Sequence, residues 1–352
     1  MTTFNDNRNS IYRGAKLTVE IYGASHADKI GVNIDGFKKG DSYSPDLLQE
    51  FLNRRKAVNT AYSTKRFEPD ICEGLSGATD GVFTGDKFSA IIKNTNVKSA
   101  DYGNLVKIPR PAHADFVAWS KYGDGFDYRG GGKFSGRMTA ATCIAGGICK
   151  QLLEKQGIKI TAYVSQIGDK KGCSYKSGKI PTDNGLTAEM LSEIEKAQID
   201  GDSIGGKIEC VITGVPVGIG EFMFDSIEGV ISKLAFSVPA VKGIEFGTGF
   251  DLANMLGSVA NDAFYYDNGV VKTKTNHNGG INGGLSNGMP ITFGVVIKPT
   301  PSISKPQQSV DLVQKQNTTL TINGRHDACI VPRAVPVIEA ISAIAIYDLL
   351  NG

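Results

Sequence analysis

The sequence predicts an α+β fold, and two observations carry that prediction. Strand-like segments come in consecutive pairs between helices, the pattern of antiparallel pairing rather than of alternating βαβ units. No composition shift or flexible linker divides the 352 residues, so 1–352 reads as a single domain, with the loop "KSGKIPTDNG" (176–185) as the one weak candidate boundary.

The elements follow in order. "AKLTVEIYG" (15–23) and "IGVNIDGF" (30–37) are apolar, β-branched runs closed by glycine, and predict a strand pair. "SPDLLQEFLNRRKA" (44–57) predicts a helix. Ser44 can cap it, Pro45 suits its first turn, and Leu47, Leu48, Phe51 and Leu52 make an apolar face. Arg54 and Arg55 then fall in its last turn. Short strands are expected around 70–75 and 87–93. Residues 137–156 predict a long, largely buried helix ending at Gly157, followed by the strand "IKITAYVSQIG". An amphipathic helix (186–199), a strand (207–218), a helix (225–237) and strands at 241–247 and 291–298 come next. "AVPVIEAISAIAIYDLLN" (334–351) closes the chain as a buried helix.

Composition excludes several classes. A net charge of +2 offers no global basic field for nucleic acid. By inspection no apolar run reaches the roughly 18 residues that span a bilayer, and "MTTFNDNRNS" has no apolar signal core, so no membrane or secretory role is expected. The six cysteines form no C-x-x-C pair, which points to reduced thiols and a cytoplasmic protein. No H-E-x-x-H or Cys/His cluster suggests a metal, and neither nucleotide-binding glycine fingerprint is present. "GLSNG" (284–288) matches the nucleophile-elbow pattern, but it leads into the β-like "ITFGVVIK" rather than a helix, so a hydrolase is set aside.

The chemistry gathers where glycine does. The 43 glycines are about 12% of the chain, against ~7% in average proteins, and are dispersed. The four histidines, 26, 113, 277 and 326, each sit among glycine or small residues: "YGASHADKIG", "PRPAHADF", "TNHNGGINGG" and "NGRHDAC". Small neighbours let a ligand approach an imidazole. "YRGGGKFSGRMTA" (128–140) sets three glycines and Arg129, Lys133 and Arg137 before a helix, an arrangement that favours an anion. With "GGINGGLSNG" and "KPTPSI" it suggests a large, flat, anionic ligand meeting much bare backbone.

Taken together, "YGASHADKIGVNIDG", "STKRFEPD", "PRPAHADF", "KYGDGFDYRGGGKFSGR", "GDSIGGKIE", "GVPVGIGE", "VPAVKGIEFGTGF", "NGGINGGLSNG", "KPTPSI", "GRHDAC" and "RAVPVIEA" resemble, in that order, the chorismate synthase family over nearly the whole chain. The resemblance implies a β-α-β sandwich with helices packed between antiparallel sheets, usually a homotetramer. It implies a carbon–oxygen lyase that eliminates phosphate from 5-enolpyruvylshikimate 3-phosphate, with anti-1,4 geometry, to give chorismate. Reduced FMN is required without net oxidation. A separate flavin reductase or reductant would supply it, with NADPH acting only indirectly.

Carried over by motif position, His26 would stand at the leaving phosphate and His113 beside the reduced flavin. Asp327 would help take the ring proton. Arg55, Arg110 and Arg137 would hold the substrate's anionic groups, with Arg129, Arg325 and Arg333 as further candidates. FMN contacts would fall on Lys133, Phe134, Ser135, Pro239, Ala240, Gly283, Lys298, Pro299, Thr300, Pro301, Ser302 and Arg325, and Ser25 also matches a family serine near the flavin. His277 is assigned no proton role. The chain departs from the family at Ala24, Ala27, Ala61, Lys133 and Ala328. Ala24, Ala27 and Ala61 motivate a second reading, a relative that binds flavin without turnover; an unrelated phosphate-handling enzyme is a third.

Overall fold

Two antiparallel sheets are built first from the paired segments. In this computed structural model, residues 9–56, 69–95, 107–123, 126–322 and 327–352 are described. β1 (Ser10–Arg13), β2 (Thr18–Gly23), β3 (Lys29–Asp35), β4 (Glu73–Ser76) and β5 (Phe88–Lys93) form the first sheet, in the order β1-β2-β3-β5-β4. β6 (Lys159–Ile167), β7 (Lys170–Lys171), β8 (Gly206–Thr213), β9 (Val241–Phe246) and β10 (Ile291–Ile297) form the second, in the order β9-β10-β8-β6-β7. Register follows the apolar alternation: Ile30, Val32 and Ile34 face Ile92, Ala90 and Phe88 across β3 and β5. A single apolar cluster runs from Leu17 to Tyr347 and takes in both sheets.

The long helices fill the space between. α1 (Pro45–Arg55) begins where Ser44 accepts a hydrogen bond from the Leu47 N–H, as its cap position predicts. α2 (Asp115–Tyr122), α3 (Thr139–Glu154), α4 (Ala188–Ile199), α5 (Ile227–Ala235) and α6 (Val331–Asn351) follow. α3 packs on β3 and β5, α6 packs on β6 and β8, and the two helices pack on each other. A β-carbon at Gly146 would lie 2.3 Å from Ala340 Cα, and one at Gly147 would lie 2.7 Å from Leu48. The bare α3 backbone therefore sets how closely the central helices approach. The buried Glu339 of α6 accepts two hydrogen bonds from Arg54, 2.7 and 2.9 Å long, and one from the Ala162 N–H of β6. That carboxylate ties α1, α6 and the second sheet together.

Some expectations change. Contrary to the expectation that no apolar segment is long enough, α6 is long and apolar enough by length and composition to cross a membrane, with a mean hydropathy of 1.5; Glu339 and Asp348 interrupt its apolar run. It is instead the central buried helix. The helix expected from 137 starts at Thr139, because residues 136–138 form a tighter turn. The 176–185 loop is tied to the second sheet: Val164 N–H donates to Asn184 O, and just before the loop Tyr175 N–H donates to the buried Glu209. β1, α2 and the hairpins at Phe264–Thr273 and Gln307–Leu320 were not anticipated. α2 buries only Asp115 and Ala118 while exposing Phe116 and Val117, so it carries no apolar stripe to read.

Candidate active site

Five separate segments enclose a cavity of about 670 Å³, within the ~300–1,000 Å³ usual for small-molecule sites. They are the glycine loop through Arg137, the turn at Ala112–Ala114, residues 236–242, residues 298–302, and Asp327 with the start of α6. Ser25 and Arg55 complete the wall.

The glycine loop has the conformation its sequence demands. Gly130, Gly131 and Gly132 all have left-handed φ, at 58°, 83° and 54°. A β-carbon at Gly130 would lie 2.3 Å from His26 Cε1 and 2.7 Å from Ser25 Oγ, so the loop backbone lies directly on the His26 ring. His26 is 6% exposed. Ser25 N–H donates to Gly132 O, and Asn94 Nδ2 donates to the carbonyls of Ala24 and Ala27. The turn that carries His26 is thus pinned through backbone groups, which Ala24 and Ala27 supply as well as any other residue.

Two arginines converge on one buried carboxylate. Asp70 Oδ2 accepts from Arg55 Nη2 at 2.5 Å, and Asp70 Oδ1 is bonded to Arg137 Nη1. Burial works to raise the Asp70 carboxyl, but the two guanidinium groups outweigh it and hold it below the usual carboxylate range. Asp70 is 1% exposed and sits at φ 46°, an uncommon conformation for a non-glycine residue. Arg137 Nε donates to Asn94 Oδ1 at 3.0 Å, so Asn94 joins the His26 turn to the arginine pair. Arg55 Nε is buried with no acceptor among the described residues.

Arg333 completes the cationic wall. Its Nη1 bonds Asp327 Oδ2 and its Nε donates to Arg55 O. Thr300 Oγ1 donates to Asp327 O, joining the 298–302 segment to the same wall.

On the other wall His113 Nδ1 lies 2.6 Å from Asp115 Oδ1. Arg110 grips the same carboxylate through Nε at 2.7 Å and Nη2 at 2.8 Å, and donates from Nη1 to Ser302 Oγ. Burial would raise the Asp115 carboxyl, but hydrogen bonds from Arg110 and His113 hold it far below the usual range. Lys298 Nζ donates to Ala112 O at 2.6 Å, while burial and the Lys242 charge push its ammonium down. Ala112 and Ala240 both take left-handed φ, at 57° and 74°. Their carbonyls accept from Lys298 Nζ and Lys298 N–H respectively, so Lys298 locks two strained turns.

The structure brings most of the predicted residues to this cavity. Arg55, His113, Lys133, Phe134, Ser135, Arg137, Pro239, Ala240, Lys298, Thr300, Pro301, Ser302 and Asp327 line it, and His26 stands behind Gly130 and Ser25. Pro299 lies between two lining residues and packs near Gly205. Three further predicted residues lie outside the lining. Arg110 is bonded to Asp115 and Ser302, because the carboxylate five residues on folds back onto it at the start of α2. Gly283 is exposed at the turn of the hairpin between Ile281–Asn282 and Leu285–Ser286, away from the lining. Arg129 is held by Asp127 at 2.8 Å. Arg325, His326 and Ala61 lie outside the described residues.

His277 Nδ1 pairs with Thr248 Oγ1, a structural contact. Ser286 of "GLSNG" is 2% exposed, donates to Pro216 O and accepts from Ile219 N–H, so it is a brace rather than a nucleophile. Asp70, Asp115, Asn94 and Lys242 were missed. The two aspartates stood inside "STKRFEPD" and "PRPAHADF", where a carboxylate beside cations was the available signal; Asn94 offered none.

Comparison with known proteins gives a consistent result. Residues 17–350 match the family model described as chorismate synthase. A chorismate synthase from Lachnoclostridium phytofermentans is 44% identical over 349 residues, covering 96% of this chain and 94% of the relative. That of Thermococcus kodakarensis is 42% identical over 344 residues, covering 96% and 97%. That of Dehalococcoides mccartyi is 41% identical over 347 residues, covering 96% and 95%. A solved structure titled "Crystal Structure of Chorismate Synthase" superposes with a TM-score of 0.70 at 25% identity, covering 96% of this chain and 92% of the other.

Proposed function

Since the chain belongs to the chorismate synthase family of lyases, we propose that this cavity eliminates phosphate from 5-enolpyruvylshikimate 3-phosphate with reduced FMN bound. In the reaction the C–O bond to phosphate breaks, a ring proton leaves from the opposite face, and a second ring double bond forms to give chorismate. The observation that carries the reading is the Arg55–Asp70–Arg137 cluster. Two guanidinium groups are assembled at one wall, and Arg55 Nε has no acceptor among the described residues.

Arg55, Arg137 and Arg333 supply the positive field for a phosphate and carboxylates. His26, held against the Gly130 backbone, is the proton donor to the departing phosphate. Asp327, held by Arg333, provides the basic side on which the ring proton is received.

The residues present fit a flavin mononucleotide. Lys298 and Lys242 repel one another at the cavity, a field that a phosphate-bearing anion relieves. The Lys133–Ser135, Pro239–Ala240 and Lys298–Ser302 segments offer backbone and small side chains to a flat ring system. When bound, reduced FMN supplies transient electron density for phosphate departure and recovers it within the turnover. NADPH is needed only to reduce it, through a separate reductase. Six free thiols suit a cytoplasmic enzyme. Phe222, Phe224, Phe250, Leu256 and Tyr266 are at least 70% exposed, which favours burial between copies in a homotetramer.

The test is anaerobic turnover of the phosphorylated substrate with photoreduced FMN. Chorismate and phosphate should appear in equal amounts. Phosphate without chorismate, or binding of FMN without turnover, would overturn the proposal.

A further inference from the structure

His113 Nδ1 has two polar neighbours that make opposite demands. Asp115 Oδ1, at 2.6 Å, can only accept a hydrogen bond when ionised, while Arg110 Nη2, at 3.1 Å, can only donate one. One ring nitrogen cannot satisfy both. The contact to the carboxylate is shorter and charge-assisted, and Arg110 Nη2 already donates to the same Oδ1 at 2.8 Å. The proton therefore belongs on Nδ1. We propose that Asp115, clamped by Arg110, is a positioning residue that fixes His113 as the Nδ1–H tautomer and makes Nε2 its working atom in the cavity.

The surroundings support that assignment. A β-carbon at Gly131 would sit 3.3 Å from Nε2 and from Cε1, so the other edge of the ring meets bare glycine backbone, and His113 itself lines the cavity. Asp115 cannot swing away: it accepts from Arg110 Nε, Nη2 and backbone N–H, at 2.7, 2.8 and 3.1 Å. Arg110 is anchored in turn to Ser302 Oγ at 3.1 Å, in a segment that lines the cavity. Ala112, at φ 57°, bends the chain so that the ring comes back over the carboxylate. Arg110 also neutralises Asp115, so the aspartate orients the imidazole without presenting it with an uncompensated negative charge. This gives Arg110 a role distinct from binding substrate.

The functional half rests on the reading that His113 faces the reacting ligands. The experiment separates it from the structural half. In full-length protein labelled with 15N-histidine, the His113 resonances are assigned by their loss in His113→Asn. Above the imidazole titration, wild type should show a protonated-type shift at Nδ1 and an unprotonated-type shift at Nε2. Asp115→Asn should redistribute the tautomers and lower kcat about 10²–10⁴-fold, as when an orienting carboxylate is lost from a histidine, with KM changed far less. Asp115→Glu should restore part of kcat if it restores the tautomer. A wild-type spectrum with the proton on Nε2 would overturn the proposal even if the Asp115 variants did not fold. A tautomer change with kcat unaltered would refute Nε2 as the working atom while leaving the positioning contact intact.

Discussion

Asp70→Asn removes the shared charge that holds Arg55 and Arg137 together. Asp70 is 1% exposed and its partners are 4% and 8% exposed, so water cannot replace the lost carboxylate in the free enzyme. Breaking a buried ion pair from one side costs about 3–5 kcal/mol, because the remaining charges are left buried. An unfolding entropy of about 2.1 cal/mol/K per residue over 352 residues totals ~0.74 kcal/mol/K. The expected fall in Tm is therefore about 4–7 °C. If the two arginines form the phosphate clamp, an anion should offset part of this loss. Inorganic phosphate should raise the variant's Tm more than the wild type's, since it supplies the missing charge where Asp70 no longer competes. Differential scanning calorimetry across a phosphate series measures both effects, with sulfate as a second anion. Equal phosphate responses in the two proteins would refute the clamp, and an unchanged Tm without phosphate would refute the energetic argument.

Three further outcomes follow from the same geometry. Asp70 and Asp115 both have carboxyls held below their unfolded values, so the stability they contribute is fully present above the unfolded value of about 3.9 and is lost as pH falls through the folded values. The stability gap between wild type and Asp70→Asn, read by urea unfolding, should accordingly narrow below about pH 4; a gap that widens there would contradict the sign. Gly130→Ala places a β-carbon 2.3 Å from His26 Cε1 at φ 58°. It should cost about 1–2 kcal/mol from the left-handed backbone and lower kcat sharply by displacing His26; wild-type kcat would remove His26 from the reaction. Ser286→Ala deletes two buried hydrogen bonds and should cost about 1–3 kcal/mol in chemical denaturation, with turnover per folded molecule unchanged. Loss of turnover would revive Ser286 as a reactive group.

The paired strands, the Ser44-capped helix and the buried C-terminal helix were legible because each is written in local periodicity and capping. Most cavity residues were legible only through the family resemblance, carried over by motif position; the small residues around His26, His113 and Lys133 by themselves pointed only to room for a ligand. α2 was hidden because its buried positions are Asp115 and Ala118, while its large apolar residues face outward. The hairpin Gln307–Leu320 was hidden because its strands, "QQSVD" and "QNTTL", are mostly polar.

What the sequence determined by itself, then, is the element pattern, the family and a set of candidate side chains, all properties of short segments. Which partner each side chain takes was decided only by tertiary structure. Arg54 and Arg55 are neighbours in one helical turn, yet Arg54 bonds Glu339 and Arg55 bonds Asp70. Arg110 and Arg137 both read as anion-binding residues, yet Arg110 is closed off by Asp115 and Ser302 while Arg137 lines the cavity. The physical reason is that an ion pair forms where burial brings opposite charges together. Asp70 reaches Arg137 across 67 positions of sequence, a separation that no local pattern encodes.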